Sequence, residues 1–248
     1  MRPMETQKVG ITECGDPAFS DSWIPWCKEG LPAILITKHP GVLHTIIEKE
    51  FPNATRPNII VHATITGWGG TPMEPNVPDM QTALFGFQAL KEEFGPQRTV
   101  LRVDPIILTA EGVLRAHQVF KTATAMSLVQ RARISFADMY PHVLARFHKL
   151  NIRVPHTTFH APLELREMAW RSFSIWGKAL WLPDICGEPD MLCVGCVSEL
   201  DCKILGVFPK KTFKKQRDTC ACCGNKHQLL ADRKRCPSQC AYCYWKDA

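Results

Sequence analysis

The chain has 248 residues, of which 45% are apolar and 22% are charged, and its formal net charge is +6. This composition is typical of a globular protein with a hydrophobic core and excludes a disordered chain. No apolar run approaches the roughly 18 residues of a transmembrane helix, and the N-terminal segment lacks the apolar stretch of a secretory signal. We therefore expect a cytoplasmic protein that does not contact the membrane.

Residues 1–185 alternate β-branched segments with helical segments. The predicted strands are, in chain order, 8–12, 33–37, 58–66, 99–103, 132–136 and a sixth around 179–182. The predicted helices are 20–29 with Ser20 as N-cap, one containing 42–47, 79–94, 112–130, 137–150 and 163–176. Such alternation predicts an α/β fold with a parallel sheet and right-handed crossovers. Six units predict a partial (β/α)6-type barrel over residues 1–185, with residues 186–248 packed on its mouth.

In such folds the functional site lies at the carboxyl ends of the strands. The polar and glycine residues expected there are Glu13, Asp16, Lys38, His39, Gly67–Gly70, Arg102, Asp104, Ser135, Asp138 and Glu188. Turn formation or helix capping would explain any single member of this set equally well. The candidates for binding a cofactor or substrate are Lys38, Gly67, Gly69, Gly70, Arg102 and Asp104.

Cysteine and positive charge are both concentrated near the C-terminus. Ten of the twelve cysteines lie between Cys186 and Cys243. Ten Lys or Arg against two Asp give residues 203–235 a net charge of +8, which leaves −2 for the rest of the chain. Without export, so many cysteines indicate metal or iron–sulfur ligands rather than disulfide bonds.

The segment RCPSQCAYCYW places Cys236, Cys240 and Cys243 in a C-x3-C-x2-C spacing, with Tyr242 before the last cysteine. Three thiolates at this spacing can hold three irons of one [4Fe–4S] cluster and leave the fourth iron open to a substrate or cofactor. The alternative is a zinc site, which would need a further ligand such as Cys220 or His227.

This motif resembles the signature of the radical S-adenosylmethionine superfamily, in which it normally follows the first strand. The resemblance implies that Cys236, Cys240 and Cys243 hold a catalytic [4Fe–4S] cluster, with S-adenosylmethionine bound to its open iron beside Tyr242. In such enzymes an electron from a donor such as flavodoxin or ferredoxin cleaves the cofactor. The resulting 5′-deoxyadenosyl radical abstracts a hydrogen atom from the substrate.

Over nearly its full length the chain also resembles a bacterial and phage family called domain of unknown function eighteen forty-eight. The matching segments are GDPAF, TKHP, GWGG, EPNVP, FGPQRTVLRVDPIILT, ISFADMY, QRDTCAC and the terminal CPSQCAYCYW. The resemblance implies that Cys186, Cys196, Cys220 and Cys222 bind an auxiliary [4Fe–4S] cluster or a structural zinc ion. It assigns no role to Cys193, Cys202 and Cys223, and Cys14 and Cys27 are most simply buried apolar residues.

The basic window favours an anionic polymer as partner, because Lys and Arg contacts to phosphate position proteins on nucleic acid. The candidate contacts are Lys210, Lys211, Lys214, Lys215 and Arg217. We therefore predict an isomerase- or lyase-type radical enzyme that rearranges or repairs a base in DNA, a modified thymine being the expected substrate. The alternatives are a radical enzyme for a small metabolite or peptide and a non-catalytic, metal-stabilised nucleic-acid-binding protein.

Overall fold

The computed structural model describes residues 7–52, 56–173, 182–211, 219–230 and 236–245. Its strands are β1 (Val9–Ile11), β2 (Ala33–Thr37), β3 (Ile59–Thr64), β4 (Thr99–Ile106), β5 (Ala132–Phe136), β6 (Asp184–Ile185) and β7 (Lys226–Gln228). Its helices are α1 (Ile24–Lys28), α2 (Pro40–Glu50), α3 (Met80–Phe94), α4 (Ala110–Ala125), α5 (Pro141–Lys149), α6 (Leu163–Ser172) and α7 (Glu199–Ile204).

The seven strands form one parallel sheet that curls into a half-barrel, in the order β6-β5-β4-β3-β2-β1-β7. The predicted α/β class with an open, parallel sheet is therefore confirmed. Because β6 and β7 are the two edge strands, the sheet does not close into a barrel. No helix among the described residues is both long and apolar enough to span a membrane.

The prediction that Ser20 caps the first helix is wrong. The α1 helix begins at Ile24, with Trp23 at its N-cap position and Pro25 in its first turn. The Ser20 hydroxyl instead lies 3.0 Å from the hydroxyl of Ser22. Ser20 ends a short 3-10 helix, Pro17–Phe19, and a turn at residues 22–23 separates it from α1.

The cysteine-rich region contributes to the sheet in a way that the sequence did not predict. The β7 strand pairs with β1, Gly10 lying opposite His227, and so extends the sheet beyond its first strand. The sixth predicted strand, 179–182, lies mostly outside the described residues, and the sixth strand of the sheet is Asp184–Ile185.

Successive side chains of a strand point to opposite faces of the sheet, and this alternation divides the hydrophobic core into two layers. Ala33 and Leu35 of β2 pack with α1 and α2 on the outer face of the sheet. Ile34, between them, faces inward and packs with residues of the cysteine-rich region such as Cys196 and Cys222. That region therefore fills the inner side of the half-barrel, because the β2 to β4 strands present apolar side chains on both faces.

Candidate metal and cofactor site

A cavity of about 570 Å³ lies at the carboxyl ends of the strands. This volume is typical of small-molecule and cofactor sites. Seven of the polar residues predicted at strand ends line it: Glu13, Asp16, Lys38, Arg102, Asp104, Ser135 and Asp138. Six cysteines of the two predicted groups also line it: Cys186, Cys196, Cys220, Cys236, Cys240 and Cys243. Residues that are far apart in the sequence thus meet at one cavity.

Cys236, Cys240 and Cys243 lie on a loop made of two tight turns. The amide of Gln239 donates to the carbonyl of Cys236 at 3.3 Å, and the amide of Cys243 donates to the carbonyl of Cys240 at 3.1 Å. Gln239 adopts a left-handed conformation with a φ of 50°. Cys240 is buried, and burial raises the pKa of its thiol above the usual range. These turns bring the three thiols to the same cavity.

Arg146 of α5 anchors this loop, and sequence reasoning did not identify it. Its guanidinium donates to the carbonyls of Ala241 at 3.2 Å, Cys243 at 2.8 Å and Trp245 at 2.5 Å. His142, one turn earlier in α5, lies 2.8 Å from the Tyr244 carbonyl through its Nε2 atom. The α5 helix therefore fixes the backbone around the last cysteine of the motif.

The first half of the loop is fixed by a different part of the sheet. The side-chain amide of Asn76 donates to the carbonyl of Pro237 at 2.7 Å. His39, which follows β2 and is buried, lies 3.0 Å from the hydroxyl of Ser238 through Nε2. His39 therefore positions the cysteine loop, although the sequence placed it among the strand-end candidates without a defined role.

A buried network joins Lys38 to the aromatic residue of the cysteine motif. The Lys38 ammonium donates to the Tyr242 hydroxyl at 2.6 Å and to the Glu74 carboxylate at 2.8 Å. The Tyr242 hydroxyl also donates to Glu74, whose other oxygen accepts from Thr66 at 2.7 Å. Burial opposes the charge on Lys38, but Glu74, together with Cys240 and Asp16, outweighs this effect and raises the pKa of Lys38. Lys38 and Tyr242 thus reach the cavity as one unit, with the buried Glu74 behind them.

Arg102 and Asp104 form a second polar unit on the cavity wall. The Arg102 guanidinium pairs with the Asp104 carboxylate, which also accepts a hydrogen bond from the Ser135 hydroxyl. A second Arg102 nitrogen donates to the Cys196 sulfur at 3.2 Å. Burial opposes the charge on Arg102, but the neighbouring Cys196 and Cys186 thiolates raise its pKa. Arg102 therefore links the strand-end polar residues to the second group of cysteines.

Four cysteines from two segments of the chain form that second group. The sulfurs of Cys186 and Cys196 are 3.4 Å apart, and those of Cys220 and Cys222 are 3.1 Å apart. The Cys196 and Cys222 sulfurs lie within 4.8 Å of each other and of a Glu13 carboxylate oxygen. Hydrogen bonds from Cys186 and Cys222 hold the pKa of Cys196 well below the usual thiol value. The structure brings the predicted auxiliary ligands together.

Two charged side chains, Glu13 near the N-terminus and Lys226 four residues after Cys222, complete the surroundings of these thiols. Lys226 of β7 pairs with the Glu13 carboxylate, and its ammonium lies 4.0 Å from the Cys222 sulfur. Burial raises the pKa of Glu13 to about 8, and the charge of Cys196 adds to this shift while Lys226 opposes it. The thiols therefore lie between an ion pair and the Arg102 guanidinium.

The remaining cysteines lie outside these two groups. None of the twelve cysteines forms a disulfide bond. The Cys193 thiol donates to the Glu188 carbonyl at 3.1 Å. Cys202 and Cys223 are buried in the inner core layer. Cys27 is buried in the outer layer, as predicted. Cys14 lines the cavity instead of being buried, because it follows β1 at the carboxyl end of the sheet.

The glycines predicted to bind a cofactor shape a loop and are not among the described residues that line the 570 Å³ cavity. Gly67 and Gly70 have φ values of 81° and 75°, which favour glycine. A Cβ atom on Gly69 would lie 1.8 Å from the Pro78 carbonyl oxygen. These glycines let the loop fold back and carry the Glu74 carboxylate behind Lys38. Gly67 and Gly69 line a separate cavity of about 260 Å³.

Of the predicted nucleic-acid contacts, Lys210 and Lys211 are exposed. The other three, Lys214, Lys215 and Arg217, lie outside the described residues. Trp68, an aromatic side chain near the site, packs in the core under the guanidinium of Arg115, 4.3 Å from the ring centroid. Tyr244 and Trp245 do line the cavity.

Glu188 and His62 are buried polar residues behind the site. Glu188 accepts from the Phe136 amide at 2.7 Å and pairs with Arg166, while burial raises the pKa of Glu188 to about 7. Both ring nitrogens of His62 on β3 lack a hydrogen-bond partner among the described residues. Burial is the main reason that the pKa of His62 lies well below its usual value. No sequence signal distinguished His62, because one histidine in an apolar strand is an ordinary core residue.

Comparison with known proteins gives one family and no further relatives. No curated protein and no solved structure matches the chain. The family match covers residues 32–245. It includes the half-barrel from β2 onward, both cysteine groups and Arg146, which anchors the loop of the three terminal cysteines. The chain therefore belongs to the family described as a domain of unknown function, DUF1848.

Proposed function

We propose that this protein is a radical S-adenosylmethionine enzyme in which Cys236, Cys240 and Cys243 hold a [4Fe–4S] cluster. The observation that carries the proposal is that the three thiols line one cavity with Lys38 and Arg102. A cluster ligated by three cysteines keeps an open iron, which requires a cavity in front of it.

The spacing of the donor atoms fits a cluster better than a single ion. One ion requires its ligand atoms to lie close together, about 3.8 Å apart for tetrahedral thiolates. Among the described residues, the set of three ligand atoms that all lie within 4.8 Å of one another consists of Glu13, Cys196 and Cys222. The three terminal cysteines are not such a set, and a cluster that binds each thiolate through a different iron needs the wider spacing.

The cavity walls offer complementary groups for the cofactor. When bound, the cluster and S-adenosylmethionine supply one-electron cleavage of a carbon–sulfur bond. Lys38 and Arg102 are cations suited to the carboxylate of the methionine moiety, and Asp104 is an acceptor for its amino group or for ribose hydroxyls. Tyr242 is oriented by Lys38 and Glu74, and the apolar Ile36 helps to exclude water.

We propose a base in DNA, in particular a modified thymine, as the substrate. The exposed Lys210 and Lys211 in the basic window support this proposal, as do Tyr244 and Trp245, whose rings lie 4.9 Å apart beside the cavity. Aromatic side chains at such a position can stack on a base that has left the duplex. The electron donor would be a flavodoxin or ferredoxin in the cytoplasm.

The central experiment measures cofactor cleavage. The full chain is reconstituted anaerobically with iron and sulfide, and 5′-deoxyadenosine is quantified after addition of dithionite and S-adenosylmethionine. We expect product from the wild type and from Cys27→Ala, which removes a thiol from the outer core layer, but not from Cys243→Ala. Equal product from Cys243→Ala would show that the cluster assignment is wrong. Zinc and no product in the wild type would favour a metal-stabilised binding protein.

A second experiment tests the substrate. Binding of a thymine-containing DNA duplex is measured by fluorescence anisotropy over a range of salt concentrations. Lys210→Glu combined with Lys211→Glu should weaken binding at least about tenfold and lower the salt slope by about 0.9 for each lost phosphate contact. Lys49→Glu, on the exposed side of α2, is the matched control and should bind like the wild type. Equal binding by all three proteins would favour a small metabolite or peptide as substrate.

A further inference from the structure

We propose that Tyr140, Phe159 and the basic segment 141–162 form a binding surface for single-stranded DNA beside the mouth of the cavity. The inference rests on the proposed DNA substrate and specifies how its strand is held. The target base enters the cavity, the next base stacks on Phe159, and the phosphates follow the basic segment. This surface lies in a different part of the chain from the basic window at residues 203–235.

Aromatic side chains lead from the cavity to the surface of the protein. Tyr140 lines the cavity, and its ring centroid lies 4.8 Å from that of Phe159. The two rings meet edge to face at 84°, so this contact covers at most one face of the Phe159 ring, and 43% of Phe159 is exposed. His142 stacks on Tyr140 with ring centroids 5.3 Å apart, and its Nε2 atom contacts the Tyr244 carbonyl. Tyr140 and Phe159 therefore continue the aromatic wall that Tyr244 and Trp245 begin.

Hydrogen bonds fix the loop that carries Phe159 to the end of β5. The amide of Met139 donates to the Phe159 carbonyl at 2.9 Å. The next residue, His160, places its Nδ1 atom 2.8 Å from a carboxylate oxygen of Asp138. Because the loop is already held in place, a strand that binds there has little ordering entropy to overcome.

The segment that includes Phe159 is basic. Residues 141–162 contain three Lys or Arg and four His but no Asp or Glu, which gives a net charge of +3 with neutral histidines. Ile152 and Val154 pack in the same apolar cluster as Tyr140, and Arg153 between them is exposed. Arg153 is therefore available for a phosphate contact beside the aromatic rings.

The cavity has the opposite balance of charge. Four carboxylates line it, from Glu13, Asp16, Asp104 and Asp138, against the two cations Lys38 and Arg102. A phosphodiester would be repelled by these carboxylates, whereas an uncharged base would not. The charges therefore separate the two parts of a nucleotide, with the base inside the cavity and the backbone along residues 141–162.

Stacking on Phe159 selects a single strand over a duplex. An internal base of a duplex has both faces covered by its neighbours, so the base next to the target would also have to leave the stack. This unstacking costs free energy in a duplex and little in a flexible single strand. We therefore infer that the substrate presents the target base and its neighbour as single-stranded DNA.

The test measures DNA binding to the full chain before any cofactor is added. A fluorescein-labelled oligothymidylate of about 12 nucleotides is titrated as a single strand and as a duplex with its complement, and binding is followed by fluorescence anisotropy. We expect the wild type to bind the single strand at least about fivefold more tightly than the duplex. Phe159→Ala should bind the single strand at least about fivefold more weakly, because stacking on one aromatic ring contributes at least that factor.

Two controls match these changes. Phe85→Ala removes an exposed ring from α3 and should bind like the wild type. Arg153→Gln should lower the salt slope by about 0.7 for the lost phosphate contact, whereas Lys49→Gln on α2 should leave it unchanged. Equal affinity of Phe159→Ala and the wild type, or tighter binding of the duplex, would overturn this surface while leaving DNA as the substrate. The 5′-deoxyadenosine assay reports on the radical chemistry separately.

A measurement on the wild type stands beside the variants, because Phe159→Ala also removes the ring contact with Tyr140. The oligothymidylate is prepared with 5-bromouracil in place of some thymines, irradiated in the complex, and the crosslinked peptides are identified by mass spectrometry. We expect crosslinks within residues 140–162, since a base stacked on Phe159 lies against this segment. Crosslinks confined to residues 203–235 would overturn the proposal.

Discussion

Asp201 and Arg133 form a buried ion pair that holds the segment carrying Cys196. Their side chains are 0% and 1% exposed, and an Arg133 nitrogen lies 2.6 Å from an Asp201 oxygen. Arg133 also donates to the Cys196 carbonyl at 3.0 Å, and Arg131 reaches the second Asp201 oxygen at 2.5 Å. The substitution Asp201→Asn keeps the shape of the side chain but removes the negative charge beside the buried Arg133, whose other carboxylate neighbour, Asp184, lies 3.8 Å away.

Removing one partner of a fully buried pair costs about 3–5 kcal/mol, because the remaining charge is no longer compensated. We therefore expect Asp201→Asn to lower the free energy of unfolding by that amount in equilibrium urea denaturation under reducing conditions. The matched control is Glu167→Gln, whose pair with Arg171 at 3.0 Å is on the surface of α6. That change should cost less than about 1 kcal/mol. A loss for Asp201→Asn no larger than that of the control would refute the reasoning.

The same pair predicts a dependence on pH. Burial opposes the charge on Asp201, but Arg133, together with His62 and Arg131, outweighs this effect and holds the pKa of Asp201 far below its usual value. The folded protein thus binds this proton less readily than the unfolded chain, so the stabilisation is complete above about pH 5 and declines as the pH falls through about 4. The difference in unfolding free energy between wild type and Asp201→Asn should therefore be smaller at pH 3 than at pH 7. An unchanged difference would contradict the assigned charge.

Two further substitutions test the loops around the cavity. In Gly69→Ala the new Cβ would lie 1.8 Å from a backbone oxygen, so we expect a melting temperature lower by about 4–10 °C. The control is Gly41→Ala, whose new Cβ would lie 3.8 Å from its nearest atom and should leave the melting temperature nearly unchanged. Arg146→Met removes charge-assisted hydrogen bonds to the cysteine loop. Hydrogen exchange at residues 240–243 should then be at least about tenfold faster, whereas Arg171→Met on the surface should leave it unchanged.

Some strands of this sheet can be predicted from the pattern of their own residues, and others cannot. The segments that became β2 and β5 were predicted at their observed bounds. The β2 strand is apolar on both faces, as a buried parallel strand requires, whereas β5 alternates apolar residues with Arg133 and Ser135. The β7 strand, with the sequence KHQ, was not predicted, because it is a strand only through its pairing with β1. Its residues carry no pattern that distinguishes them from a loop.

The residues of the candidate site also fall into those that the sequence predicted and those that it did not. The C-x3-C-x2-C spacing is local, so the sequence alone identified Cys236, Cys240 and Cys243 and the edge of the sheet where polar residues gather. Arg146 was not predicted, because its role is to donate to backbone carbonyls about a hundred residues away, and backbone carbonyls leave no mark on a sequence.

By itself, the sequence determined that this is a parallel α/β protein with its cysteines clustered in two groups near the C-terminus, since strand periodicity and cysteine spacing are properties of neighbouring residues. Only the tertiary structure decided which thiols meet: it brought Cys196 to Cys222, gave both to the cations Arg102 and Lys226, and turned the glycine loop away from the large cavity. The reason is that distances between chain segments are set by how the sheet curls and which edges it leaves open, and these depend on packing across the whole fold.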